Sequence, residues 1–146
     1  MTMQIPDKIE FKNETWNILE ISDEKGILDI KKLNFYPKSN STACYRGFTV
    51  DLKLNQKKLI LNRINVYGMI DNSLKIYGVE LKDNKYEINQ GINYTGSLLI
   101  GKNYFGGNYA FICSSPEFYE MSYILYFENG QLIKDSVLYD NNTKQV

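Results

Sequence analysis

Only two arginines, Arg46 and Arg63, occur in this chain; every other basic side chain is a lysine. A guanidinium forks onto carboxylates and phosphates in a way an ammonium does not, so these two are the first places to look for anion recognition. Cys44 stands two residues before Arg46, close enough for the cation to favour its thiolate, although such a cysteine also serves as a small buried apolar group. Histidine is absent altogether. That removes Ser-His and Cys-His nucleophile pairs, a histidine base and histidine metal ligands. Carboxylate or lysine catalysis has no recognisable arrangement here. We therefore expect a non-enzymatic protein without a metal or other cofactor. A second cluster, Tyr104-Phe105-Gly106-Gly107-Asn108-Tyr109, gathers three aromatics between glycines, with Phe118-Tyr119 following. Clustered tyrosines supply rigid contact area with a hydrogen-bonding tip, as protein-binding surfaces use it, and equally serve to cover a sheet.

The elements that must hold these groups read as strands. From Phe48, alternation places Phe48, Val50, Leu52 and Leu54 on one face and Thr49, Asp51 and Lys53 on the other, so the first set faces the core. Extended backwards, that face holds Arg46 and Cys44. Extended through a two-residue turn within Asn55 to Lys58, it holds Leu59, Leu61 and Arg63. Both arginines then lie near one another at the open end of an apolar face. Three arrangements satisfy a half-buried guanidinium here. One is an ion pair with Glu117, Glu120 or Asp29; another is a β-bulge at Gly47 that turns Arg46 into solvent; the third is a pocket for an anion or a peptide carboxylate.

The same reading runs through the chain. Lys8–Phe11 and Thr15–Ile21 are expected as strands about a turn at Lys12-Asn13-Glu14. Gly26–Phe35 is a strand or one or two helical turns, and Tyr36–Ser41 is a loop. Leu74–Ile88 reads as a hairpin turning near Asp83-Asn84, and Thr95–Ile100 as a strand followed by a loop from Gly101 to Tyr109. Tyr109–Cys113 is a short strand, and Ser114–Glu117 turns or caps a short helix through Tyr119 or Met121. Tyr123–Leu138 is a hairpin on an Asn129-Gly130 type I′ turn. Its unbroken apolar strand Tyr123–Phe127 suits a central position. The expected fold is mainly β: one domain over residues 1–146, a meander of antiparallel hairpins forming a sandwich or partly open barrel, with at most one or two short helices and a frayed tail at 141–146.

Three words in this order resemble a family of small uncharacterised bacterial proteins: Thr42-Ala43-Cys44-Tyr45-Arg46-Gly47-Phe48, Tyr94-Thr95-Gly96-Ser97-Leu98-Leu99-Ile100, and Tyr126-Phe127-Glu128-Asn129-Gly130-Gln131-Leu132-Ile133. In that family a Thr-Ala-Cys-Trp/Tyr-Arg-Gly-aromatic stretch opens a β-hairpin. The resemblance implies the hairpin and brings no activity with it.

Seventeen basic and seventeen acidic residues balance to zero net charge, which gives no cationic surface for nucleic acid. The start lacks the basic and apolar regions of a secretory signal, and no window has the length of a membrane span. The expected location is the cytoplasm. Two cysteines, Cys44 and Cys113, are too few for a disulfide framework, and whether they pair stays open. The function that fits is protein interaction, with dimerisation through a strand edge open to it; the size and bacterial setting of the family it resembles imply an immunity type that blocks a partner toxin. The alternative is a small-molecule or anion-binding domain around Arg46 and Arg63. Cys44, Tyr45, Arg46, Arg63, Tyr104, Phe105 and Tyr109 are the candidate binding residues.

Overall fold

Alternating β-branched and aromatic residues, broken by turns that tolerate positive φ, build ten strands among the described residues. The computed structural model describes residues 5–23, 25–39, 44, 46–107 and 114–141. The strands are β1 (Lys8–Phe11), β2 (Glu14–Ile21), β3 (Lys38–Ser39), β4 (Phe48–Asn55), β5 (Lys58–Val66), β6 (Gly68–Met69), β7 (Lys85–Gly91), β8 (Gly96–Tyr104), β9 (Tyr119–Glu128) and β10 (Gln131–Asp140). Eight of them form one sheet in the order β10-β9-β8-β2-β1-β4-β5-β7, and β3 and β6 pair separately. The sheet curls until β10 meets β5 at Gln131 and Lys58. There the β9–β10 turn is stitched across the seam: Leu59 N–H donates to Gly130 O at 2.8 Å, and Leu132 N–H to Lys57 O at 2.7 Å. The result is a mainly β single domain, a curled, partly closed sheet.

Tight turns fall where asparagine, glycine and their neighbours accept left-handed backbone. Lys12-Asn13, Gln56-Lys57 and Asn129-Gly130 all have positive φ, so the three expected hairpins β1–β2, β4–β5 and β9–β10 form. What joins the hairpins is non-local. β1 runs parallel to β4, with Ile9 beside Leu52, and β2 pairs with β8, with Ile18 beside Ile100. β9 lies between β8 and β10, a central position as its apolar run implies.

Two readings change. Leu74–Leu81 makes no ladder strand: Tyr77 and Gly78, at φ 52° and 76°, close a tight turn between Ile76 and Val79, and β7 pairs with β5 instead. β8 runs on to Tyr104 rather than ending at Ile100. There glycine meets a need for space, since a Cβ at Gly101 would sit 2.7 Å from the ring of Tyr119. Between Ser115 and Tyr119 the chain makes only a 3₁₀ turn, Pro116–Phe118, and β9 starts at once. Gly26–Phe35 takes the helical option as one turn, α1 (Ile30–Leu33), capped by Asp29 and ended by Asn34 in the left-handed region. The expected strand Tyr109–Cys113 and the tail beyond Asn141 lie outside the described residues. No helix among the described residues is long and apolar enough to cross a membrane.

The inner face of the curled sheet is the core, with Ile9, Leu59, Leu61, Ile64, Leu98, Ile100 and Leu125 fully buried. At one end Phe11, Trp16 and Tyr123 meet edge to face at 5.3–5.8 Å. Lys12 covers this trio, its Nζ donating to Tyr123 Oη at 3.0 Å. That bond holds the Lys12 ammonium above the usual lysine range. The opposite end of β1 begins at Asp7, and there the core is roofed by the segment from Lys25 to Pro37.

Candidate functional site

Under that roof lies a cleft of about 410 Å³. Its walls are mostly apolar: Ile27, Leu28, Phe35 and Pro37 from the roof, and Phe48 and Val50 from β4. Phe35 is fully buried and packs its ring 4.9 Å from that of Phe48, which fixes the roof on the sheet. The small β3–β6 sheet follows directly on Pro37. It depends on Gly68, where a Cβ would collide with the Lys38 carbonyl.

One end of the cleft is polar. Arg46 lies with its guanidinium carbon 4.5 Å from the centre of the Phe48 ring, and its Nη2 donates to Asp7 Oδ1 at 2.5 Å. The same Oδ1 accepts the buried backbone N–H of Val50 at 2.9 Å. The Asp7 side chain is 9% exposed and that of Arg46 46%. The carboxylate is thus sunk into the wall, and the guanidinium bridges it to solvent. Lys25, exposed, completes the polar lining.

Gly47 sets this geometry. At φ +81° it breaks the strand before Phe48, and its N–H donates to Cys44 O at 3.1 Å. The break leaves Arg46 over the edge of the apolar face while Cys44 is buried, its thiol donating to Phe48 O at 3.4 Å. The ion-pair reading of Arg46 therefore has its partner in Asp7, and Glu117, Glu120 and Asp29 are not involved. Asp7 escaped the sequence reading because only the parallel β1–β4 pairing carries it to Val50, and no local pattern announces that pairing.

Arg63 does not join Arg46. The alternation breaks at Asn62, since Asp51 pairs with Arg63 but Leu52 with Leu61. One extra residue reverses every later side chain. Ile64 and Val66 turn inward, and Arg63 faces outward between Asp51 at 3.6 Å and Glu87 at 2.7 Å. Asn65 extends this outer ladder, donating to Thr49 Oγ1 and Asp51 Oδ2. The hydrogen bond to Glu87 is the main reason the Arg63 guanidinium is held above its usual range.

The aromatic cluster is split. Tyr104 packs its half-buried ring 5.2 Å from that of Tyr119, whereas Phe105 is 59% exposed and meets Phe118 edge-on at 6.5 Å. Tyr45, Tyr109 and Cys113 lie outside the described residues, and Cys44 is a free, buried thiol. Among the described residues no group of three or more acidic or thiol side chains comes together as a cation site. The polar end of the cleft presents one buried acceptor and one half-exposed fork of donors.

No family model, no curated protein and no solved structure matches the chain.

Proposed function

We propose that the protein binds a small amphipathic molecule, its apolar part in the cleft beneath the Lys25–Pro37 roof and its anionic group on Arg46. The observation that carries this reading is the cleft itself: about 410 Å³, mostly apolar in its lining, with Asp7 and Arg46 paired in its wall. Ligand sites commonly have that size and that division of labour. Of the two arginines named from sequence, Arg46 supports the reading and Arg63 does not, because two carboxylates already flank it on the outer face. The test is fluorescence titration with 1-anilinonaphthalene-8-sulfonate, an apolar probe bearing one anion. Saturable one-to-one binding that is abolished by Ile27→Trp, which fills the cleft, and weakened several-fold by Arg46→Ala is the expected result. Binding indifferent to both changes refutes the site.

A second reading, contact with a protein partner, is favoured by Phe105, which stands 59% exposed beside Phe118. An exposed phenylalanine of this kind suits the centre of an interface. A pull-down comparing wild type with Phe105→Ala tests it. One protein lost from the folded variant is the expected result, and an unchanged set of bound proteins counts against it.

A further inference from the structure

Resting on the cleft as a binding site, we propose that its ligand is a free apolar α-amino acid, held as the zwitterion between Asp7 and Arg46. Asp7 Oδ1 is saturated by Arg46 and Val50, while no described residue bonds Oδ2, and Oδ2 is not among the sealed, unpartnered atoms of the interior. Asp7 also lines the cleft, with its side chain nine-tenths buried. An ionised carboxylate only accepts, so what meets Oδ2 must donate, and a sunken anion is best met by a cationic donor.

Arg46 makes the opposite demand. Its Nη2 is engaged by Asp7, and among the described residues no acceptor meets Nη1 or Nε. Those donors call for an acceptor, and a carboxylate fits the fork. Because Asp7 and Arg46 touch each other, the ligand's ammonium and carboxylate must also sit close together, on one carbon. An α-amino acid meets that condition and an ω-amino acid does not. A peptide does not either, since its ammonium and carboxylate are on different residues. The charges of Asp7 and Arg46 cancel, which matches a ligand with no net charge. Beyond the polar end, Phe35, Phe48 and Ile27 offer an apolar wall to the side chain.

The test is isothermal titration calorimetry on the unmodified protein with three probes: L-phenylalanine, 3-phenylpropionate, which lacks the ammonium, and 2-phenylethylamine, which lacks the carboxylate. Each deletion is expected to weaken binding about tenfold or more, the scale of one charge-assisted hydrogen bond. Asp7→Asn keeps an oxygen for Val50 and should erase the preference for L-phenylalanine over 3-phenylpropionate. Folding of the variant is checked by circular dichroism. If 3-phenylpropionate binds as tightly as L-phenylalanine to wild type, the zwitterion is refuted and the amphipathic-anion site stands. If none of the three binds while the anilinonaphthalene probe still saturates the cleft, the amino acid is refuted alone. Failure of all four probes overturns both readings.

Discussion

Replacing Asp7 by alanine separates the wall of the cleft from its rim. The carboxylate accepts two hydrogen bonds on Oδ1, one from the half-exposed Arg46 and one from the backbone of Val50, which is 2% exposed. Removing it strands the Val50 N–H in the interior, a loss of about 1–3 kcal/mol. The ion pair adds at most about 1 kcal/mol, because solvent screens Arg46. Asp7→Ala should therefore destabilise by about 1–4 kcal/mol, read in urea unfolding at neutral pH, or as a fall in Tm of about 3–12 °C for a domain of this size. Arg46→Ala should cost about 1 kcal/mol, from the ion pair and the Phe48 contact together. Asp7→Asn, with an acceptor retained for Val50, should also cost about 1 kcal/mol. The reasoning is refuted if Arg46→Ala costs as much as Asp7→Ala, or if asparagine is no better than alanine.

Three further outcomes follow from the fold. Gly130→Ala should destabilise by more than about 2 kcal/mol in thermal unfolding, because Gly130 has φ +80° and a Cβ there would collide with the Ile92 carbonyl; a neutral change would disprove the closure described at that turn. Arg63→Ala should cost less than about 1 kcal/mol at low salt and less still in 1 M NaCl, since its pairs with Asp51 and Glu87 lie on the outer face; a large, salt-independent loss would place it in the core after all. Stability should hold through neutral pH and fall above about pH 10. Burial first, then the charge of Asp71, pushes the Tyr86 phenol above its ordinary value, and the Tyr123 hydrogen bond raises Lys12. Both groups hold their protons in the folded chain at pH values where the unfolded chain releases them, so rising pH favours unfolding. Tyr86→Phe should flatten that fall, at the cost of the hydrogen bond from Tyr86 Oη to Leu74 O, and an unchanged alkaline slope would rule Tyr86 out as its source.

The hairpins were legible because their information is local. The alternation Phe48 to Leu54 sets a face, and Asn129-Gly130 sets a turn. Arg63 was misplaced by one residue of bulge at Asn62, which no residue type there announces, and the error carried to the proposed pairing of the arginines. Gly101 was read as a loop opener because glycine commonly marks turns, whereas the Tyr119 ring needs its missing side chain. Asp7, the buried member of the site, is a lone acidic residue before β1, and its role follows from a parallel pairing with a strand some forty residues away. Local pattern thus gave the frame and the exposed half of the site, and long-range pairing gave the other half.

The placement of the β1–β2 hairpin has a consequence for synthesis on the ribosome. It emerges before both of its neighbours, since its two outer edges are completed by β4 on one side and β8 on the other. A two-stranded hairpin is at best marginal alone. Until β8 has been made it waits with an edge open, and such an edge is a template for pairing with another nascent chain. Closure of the sheet at Gln131 and Lys58 comes later still. With so many contacts joining distant parts of the chain, folding should take milliseconds to seconds rather than microseconds, and the yield of native protein should depend on how fast the second half of the chain follows the first.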